Sequence, residues 1–160
     1  MKRIVITIIA AFALFTFSCK KDNQPHDLFI GAILKNTNWL AQPSTSYFAN
    51  RDSLQVTGIK ETNQGSQNLS FNIRFQGVGT YPLTAGQATF INYFESAGMT
   101  YKLDITQPNL VNITSFDVKT NIATGSFQLY FTNATGNPGT DKLSFTNGSF
   151  WIQTPAVPGQ

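Results

Sequence analysis

The pattern of this chain predicts an all-β fold, a single antiparallel β-sandwich or barrel-like domain of about eight to ten short strands. Three observations predict it. Residues 69–76 alternate strictly: Leu69, Phe71, Ile73 and Phe75 are apolar, while Ser70, Asn72, Arg74 and Gln76 are polar. Period two puts one set on each face of a strand, whereas helical spacing would scatter the aromatics around an axis. Second, Phe accounts for 14 of 160 residues and Thr, Asn and Ser are abundant, a composition that suits pleated, half-buried surfaces. Third, turn signals recur along the chain about every 8–12 residues, the spacing of an antiparallel sandwich or barrel.

The elements follow in order. Leu28 to Leu34 is an apolar run that reads as the first strand, with Asn36-Thr37-Asn38 turning the chain before Trp39-Leu40-Ala41. Gln42 to Asn50 reads as loop, and Leu54 to Ile59 as a return to extended chain. The alternating strand Asn68 to Gln76 ends at Gly77-Val78-Gly79. Pro82 in Thr80-Tyr81-Pro82-Leu83 cannot donate to a ladder, which marks an edge strand or a strand start. Ala88 to Phe94 and Met99 to Ile105 form a hairpin across Glu95-Ser96-Ala97-Gly98, with Tyr101, Leu103 and Ile105 on one face. Three more strands follow: Leu110 to Val118, Thr124 to Thr132 and Lys142 to Ile152. Within the second of these, Phe127, Leu129 and Phe131 alternate with Gln128, Tyr130 and Thr132. In the last, Phe150 and Ile152 fall out of phase with Leu143 and Phe145. A β-bulge at Asn147-Gly148, with Gly in a left-handed conformation, restores the phase. A tight type I′ turn at the same place is the rival explanation, and it leaves only short flanking strands.

The N-terminus carries an address. Lys2 and Arg3 precede an apolar run of 14 residues from Ile4 to Phe17, then Ser18 and Cys19, the only cysteine. This is the layout of a secretory signal peptide, and the run is shorter than the roughly 20 residues of a spanning helix. Thr16-Phe17-Ser18-Cys19 resembles the lipobox of bacterial lipoproteins, with Thr16 where leucine is commonest. The resemblance implies cleavage before Cys19 and acylation of its thiol and new amino terminus. Two or three acyl chains hold a protein stably where a single chain gives only marginal binding. The expected divisions are residues 1–18 as signal peptide, 19–27 as lipidated tether, 28–154 as the β-domain and 155–160 as a tail. Lys20-Lys21-Asp22 resembles the lysine-plus-acidic export signal of some surface lipoproteins. An outer-membrane location follows, on either the periplasmic or the cell-surface side.

Several pieces in order carry a wider resemblance: Phe29 to Trp39 with its Asn-x-x-Trp turn, Gly79-Thr80-Tyr81, Ile113-Thr114-x-Phe116-Asp117, Gly125-Ser126-Phe127, and Phe145 to Phe150. Together they resemble a family of small, uncharacterised envelope lipoproteins of Gram-negative bacteria. The resemblance implies an all-β, envelope-anchored domain. It brings no activity and no functional residues.

Charge and chemistry narrow the function. Eleven basic side chains face eight acidic ones, but Lys2 and Arg3 leave with the signal, so the mature chain is close to neutral. The remaining cations are scattered, which argues against a nucleic-acid partner. The single histidine, His26, lies in the tether and cannot serve as a positioned base. No catalytic triad, metal site or cofactor is expected. Binding is easier to accommodate: Tyr130 and Trp151 fall on the polar phase of their strands and are the candidate ligand-contact aromatics, suited to sugar rings. Asp52-Ser53-Leu54 resembles an O-glycosylation sequon, with Ser53 as acceptor. The leading expectation is a non-enzymatic lipoprotein held on the membrane through Cys19, binding a glycan or another envelope protein, or structural. The alternative is a small glycan-active hydrolase using two of Asp52, Glu61, Glu95, Asp104, Asp117 and Asp141.

Overall fold

A computed structural model describes residues 27–47, 53–94, 97–134 and 141–155. Cys19, His26, Lys20-Lys21-Asp22, Asp52 and Glu95 lie outside the described residues. Ten strands run in chain order: β1 (Phe29–Leu34), β2 (Thr37–Tyr47), β3 (Ser53–Thr62), β4 (Gly65–Arg74), β5 (Gly79–Pro82), β6 (Ala88–Phe94), β7 (Ala97–Leu103), β8 (Leu110–Asp117), β9 (Ile122–Asn133) and β10 (Lys142–Gln153).

All pairings are antiparallel, and β10 bonds to both β1 and β9. Eight strands thereby close into a barrel in the order β10-β1-β2-β3-β4-β6-β7-β9, with β8 and β5 added. Closure removes the strand edges that a sandwich would leave to be managed, so the barrel form of the expected fold is the one adopted. The two added strands have a simple origin. β10 occupies one edge of β9 throughout, while β7 takes residues 131–133 of the other edge and β8 takes residues 122–128. β7 and β8 therefore lie in tandem, as one barrel strand broken at mid-height, and β5 and β6 are broken beside them at the same level. β5 pairs only with β8, so it is an edge strand, as Pro82 predicts.

The interior is filled by side chains, as suits an eight-stranded barrel. Phe145 sits centrally, with ring centroids 5.2 Å from Trp39, 5.1 Å from Phe90 and 5.8 Å from Phe131. A second group stacks toward the other end, with Phe71, Phe127 and Phe150 6.0–6.5 Å apart. Gly58 lies on the inward phase of β3, where a Cβ would stand 3.0 Å from the Trp39 ring.

Several sequence expectations need correction. The first turn is Lys35-Asn36 rather than Asn36-Thr37-Asn38. Both residues have positive φ, 48° and 62°, and this tight turn sets Leu34 opposite Thr37. Gln42 to Tyr47 is strand, not loop, since β3 pairs with every one of its residues from Gln42↔Ile59 to Tyr47↔Leu54. Pairing overrides the weak β-preference of Gln-Pro-Ser. Ile105 does not join Tyr101 and Leu103 on the inner face. β7 ends at Leu103, and the Asp104 carboxylate accepts the Thr106 N–H at 3.1 Å, turning Ile105 out to solvent.

The β10 bulge is present, because between the pairs Phe145↔Leu129 and Gly148↔Phe127 two residues, Thr146 and Asn147, oppose the single Gln128. Its left-handed residue is Asn147 (φ 50°), not the glycine. Gly148 is required for a different reason: a Cβ there would stand 2.5 Å from the Phe127 carbonyl oxygen. β8 holds a second extra residue between Ile113 and Ser115, which the sequence reading passed over.

Candidate functional site

With the barrel filled, the sites of interest lie on its outer wall. Tyr130 is the centre of one. β9 presents Leu129 and Phe131 to the core, so Tyr130 points outward, half-buried. The level of Tyr130 is also where β7 has ended and β8 has not begun. The gap is closed by the intervening turn: Asp104 N donates to the Tyr130 carbonyl at 2.9 Å, and the Asn109 Oδ1 accepts from Tyr130 N at 2.7 Å. The Asn109 amide in turn donates to the carbonyls of Asp104 and Gln107 at 2.9 and 3.0 Å. A buried asparagine thus stands in for a missing strand residue, which satisfies backbone groups that would otherwise be orphaned.

Beside Tyr130 lies a small pocket of about 170 Å³, walled by Asp104, Gln107, Lys142 and Ser144. Asp104 is only 8% exposed. Its Oδ1 accepts the Thr106 hydroxyl at 2.5 Å and the Thr106 N–H, and its Oδ2 faces the Lys142 ammonium at 3.4 Å. These contacts, with the Thr106 hydroxyl foremost, hold the Asp104 carboxyl below the usual aspartate range. The Gln128 amide donates to the Tyr130 hydroxyl. The pocket offers a carboxylate, an ammonium, a phenol and hydroxyl and amide groups around a half-buried ring, a set that matches a polyol.

Trp151 is also outward and half-buried, in register with Phe29 on β1 and Thr124 on β9. Thr124 and Tyr130 are six positions apart on β9, about 20 Å along the strand. The two candidate aromatics therefore share a wall without sharing a pocket. Ser53 is the first residue of β3, opposite Arg74 and half-buried on the outer phase.

The described carboxylates do not converge. Glu61 lies by the β3–β4 turn and Asp117 by the β8–β9 turn, at opposite ends of the barrel. Asp117 accepts the Lys119 N–H at 2.9 Å, which closes its turn and lowers its pKa. Asp141 and Asp104 are nearer in the fold but face opposite sides of the wall. Asp141 accepts the hydroxyl of the buried, inward Tyr101 at 2.6 Å, whereas Asp104 belongs to the outer pocket. Among the described residues no three His, Cys, Asp or Glu side chains gather as a metal site.

Sequence reasoning marked Tyr130 by its phase but missed Asn109 and Lys142. Pro108-Asn109 just before a strand was the one available signal, and it reads as an ordinary turn until the break between β7 and β8 is known.

Residues 27–152 match a domain of unknown function, DUF6252. The chain belongs to that family. The match takes in nearly the whole of the barrel, and the DUF6252 domain is all-β here, as the sequence resemblance implied. No curated protein and no solved structure gives a significant match.

Proposed function

We propose that the protein is a lipid-anchored, non-enzymatic binding module of the bacterial outer membrane that carries its ligand on the outer wall of the barrel. The observation that carries the binding part is the placement of polar groups. Large aromatics occupy the barrel interior, while Tyr130, Asp104, Lys142 and Ser144 line an accessible pocket outside it. The positions of Asp104 and Asp141 on opposite sides of the wall favour binding over carboxylate-pair hydrolysis, which needs both groups flanking one bond.

Anchoring rests on the order of Lys2-Arg3, the apolar run and Ser18-Cys19. Asp27 leads into β1 at the end of the barrel that also holds the β8–β9 turn. A tether from Cys19 would therefore hold that end toward the membrane and leave the Tyr130 side of the wall clear. Two measurements test the reading. Palmitate labelling should be lost, and the protein released from the membrane fraction, on Cys19→Ser; retention in the membrane would remove the anchor. Titration of the wild type and Tyr130→Ala with a glycan panel should show binding that the variant weakens. Equal binding by both would remove Tyr130 from the site.

A further inference from the structure

A second feature of the same wall is larger than the Tyr130 pocket. The antiparallel registers bring Thr80, Asn112, Ser126, Ser149, Gly31 and Leu40 into one rank across β5, β8, β9, β10, β1 and β2. All six lie on the outward phase. Along this rank run two grooves, of about 390 and 370 Å³, that meet at Asn147. The bulge creates the junction: its left-handed residue, Asn147, lines both grooves. None of the residues lining either groove carries a charge.

We propose that this combined trough binds an uncharged oligosaccharide that crosses the strands and curves with the barrel wall. The inference rests on the reading of the protein as a ligand-binding module and gives that module a ligand class. Six strands span five inter-strand gaps, roughly 24 Å of arc around the convex barrel wall, room for about four to five sugar units of a chain that curves with it. The polar groups are paired so that both donors and acceptors face outward. Thr80 donates to the Asn112 Oδ1 at 3.1 Å, which holds that amide by its oxygen and leaves its NH₂ to donate. Gln128 is held the opposite way: its NH₂ donates to Tyr130, and its oxygen is left to accept. Sugar hydroxyls both donate and accept, so they match such a lining without the cost of burying an unpaired charge.

The apolar contacts fit as well. Leu40 is 61% exposed on the trough bed, and Leu110 is 39% exposed at its other end. Trp151 lies two positions beyond Ser149 on one side of the bed, and Tyr130 four positions beyond Ser126 on the other. The two aromatics therefore flank the trough, which resolves why they share a wall but no pocket. Anionic polymers would meet no cation in this lining. An added peptide strand would pair at a sheet edge rather than across a sheet face.

The test uses the full-length lipidated protein in detergent, titrated by calorimetry with neutral glucan, mannan and chitin oligosaccharides of increasing length. Affinity should rise with length and level off at about four to five units. Ser126→Trp, an outward exposed position on the bed, should weaken the longest ligand by about tenfold or more. The double variant Asn112→Ala/Gln128→Ala should do the same without added bulk, and circular dichroism confirms that each variant is folded. Affinity that stops rising at a disaccharide, or indifference to both trough variants, overturns the proposal. If Tyr130→Ala abolishes binding while both trough variants bind as the wild type does, the trough is refuted and the Tyr130 pocket stands. If none of these oligosaccharides binds, the neutral-glycan proposal fails, and the anchor is judged separately by Cys19→Ser.

Discussion

Replacing Gly148 by alanine tests the geometry of the β10 bulge directly. In ordinary extended or turn backbone, Gly→Ala stabilises by about 0.4–1 kcal/mol, because it restricts the unfolded chain. Gly148 has no positive φ to forbid alanine, so that generic gain would apply if space allowed. Space does not allow it. The new methyl would meet the Phe127 carbonyl oxygen at 2.5 Å and the Phe127 ring at 2.6 Å. The oxygen belongs to the backbone of β9, whose ladder to β10 resumes at the Gly148↔Phe127 pair. A displacement of the strands by several tenths of an ångström is needed, an overpacking that costs about 1–3 kcal/mol. For a domain of this size that lowers Tm by roughly 3–12 °C. Asn147→Gly is the matched control. It relieves a left-handed side chain at φ 50° but loosens the unfolded state, so its effect should stay within about 0.5 kcal/mol of zero. Thermal and urea unfolding of the two variants provide the readout. A Gly148→Ala protein as stable as wild type, or more so, would refute the close approach of β10 to β9 and the bulge with it.

Two further outcomes follow from the core. Burial, with the Asp141 carboxylate bonded to its hydroxyl, pushes the Tyr101 phenol from 10.0 up to about 12. A raised pKa means that the folded state keeps its proton after the unfolded chain has lost it. Tyr101 thus stabilises fully below pH 10 and loses that contribution, on the order of 3 kcal/mol, as pH rises through 12. Urea unfolding at stepped alkaline pH should show a shallower decline for Tyr101→Phe; parallel declines would refute the shift. Phe145→Ala removes the ring that touches Trp39, Phe90 and Phe131, and should cost about 3–5 kcal/mol with a blue-to-red change in Trp39 emission. A loss under about 1 kcal/mol would mean that this ring is not central to the packing.

How far the residues alone could lead depended on whether the deciding interaction was local. Alternation in Leu69–Ile73 and Phe127–Phe131 follows from the pleat, so those strands and their buried faces were readable directly. The phase slip before Phe150 was also readable, because two apolar sets on one strand must both reach the core. The tandem break of β7 and β8 was not. Leu103 and Leu110 look like the ends of separate strands, and only their common pairing with β9 shows that they continue one another. The Tyr130 pocket exists because of that break, since Asp104 and Asn109 fold in to satisfy the β9 backbone where neither strand reaches.

Composition and periodicity were enough for an all-β domain, because both depend on neighbours in the chain. The choice of barrel over sandwich depended on β10 finding β1, more than a hundred residues away in sequence, as well as β9. Register did the rest. It set six distant outward residues into one rank, put Tyr130 and Trp151 on either side of it, and turned Asp104 and Asp141 to opposite sides of the wall. Hydrogen bonds between strands fix which residues face each other, and that information is absent from any one strand.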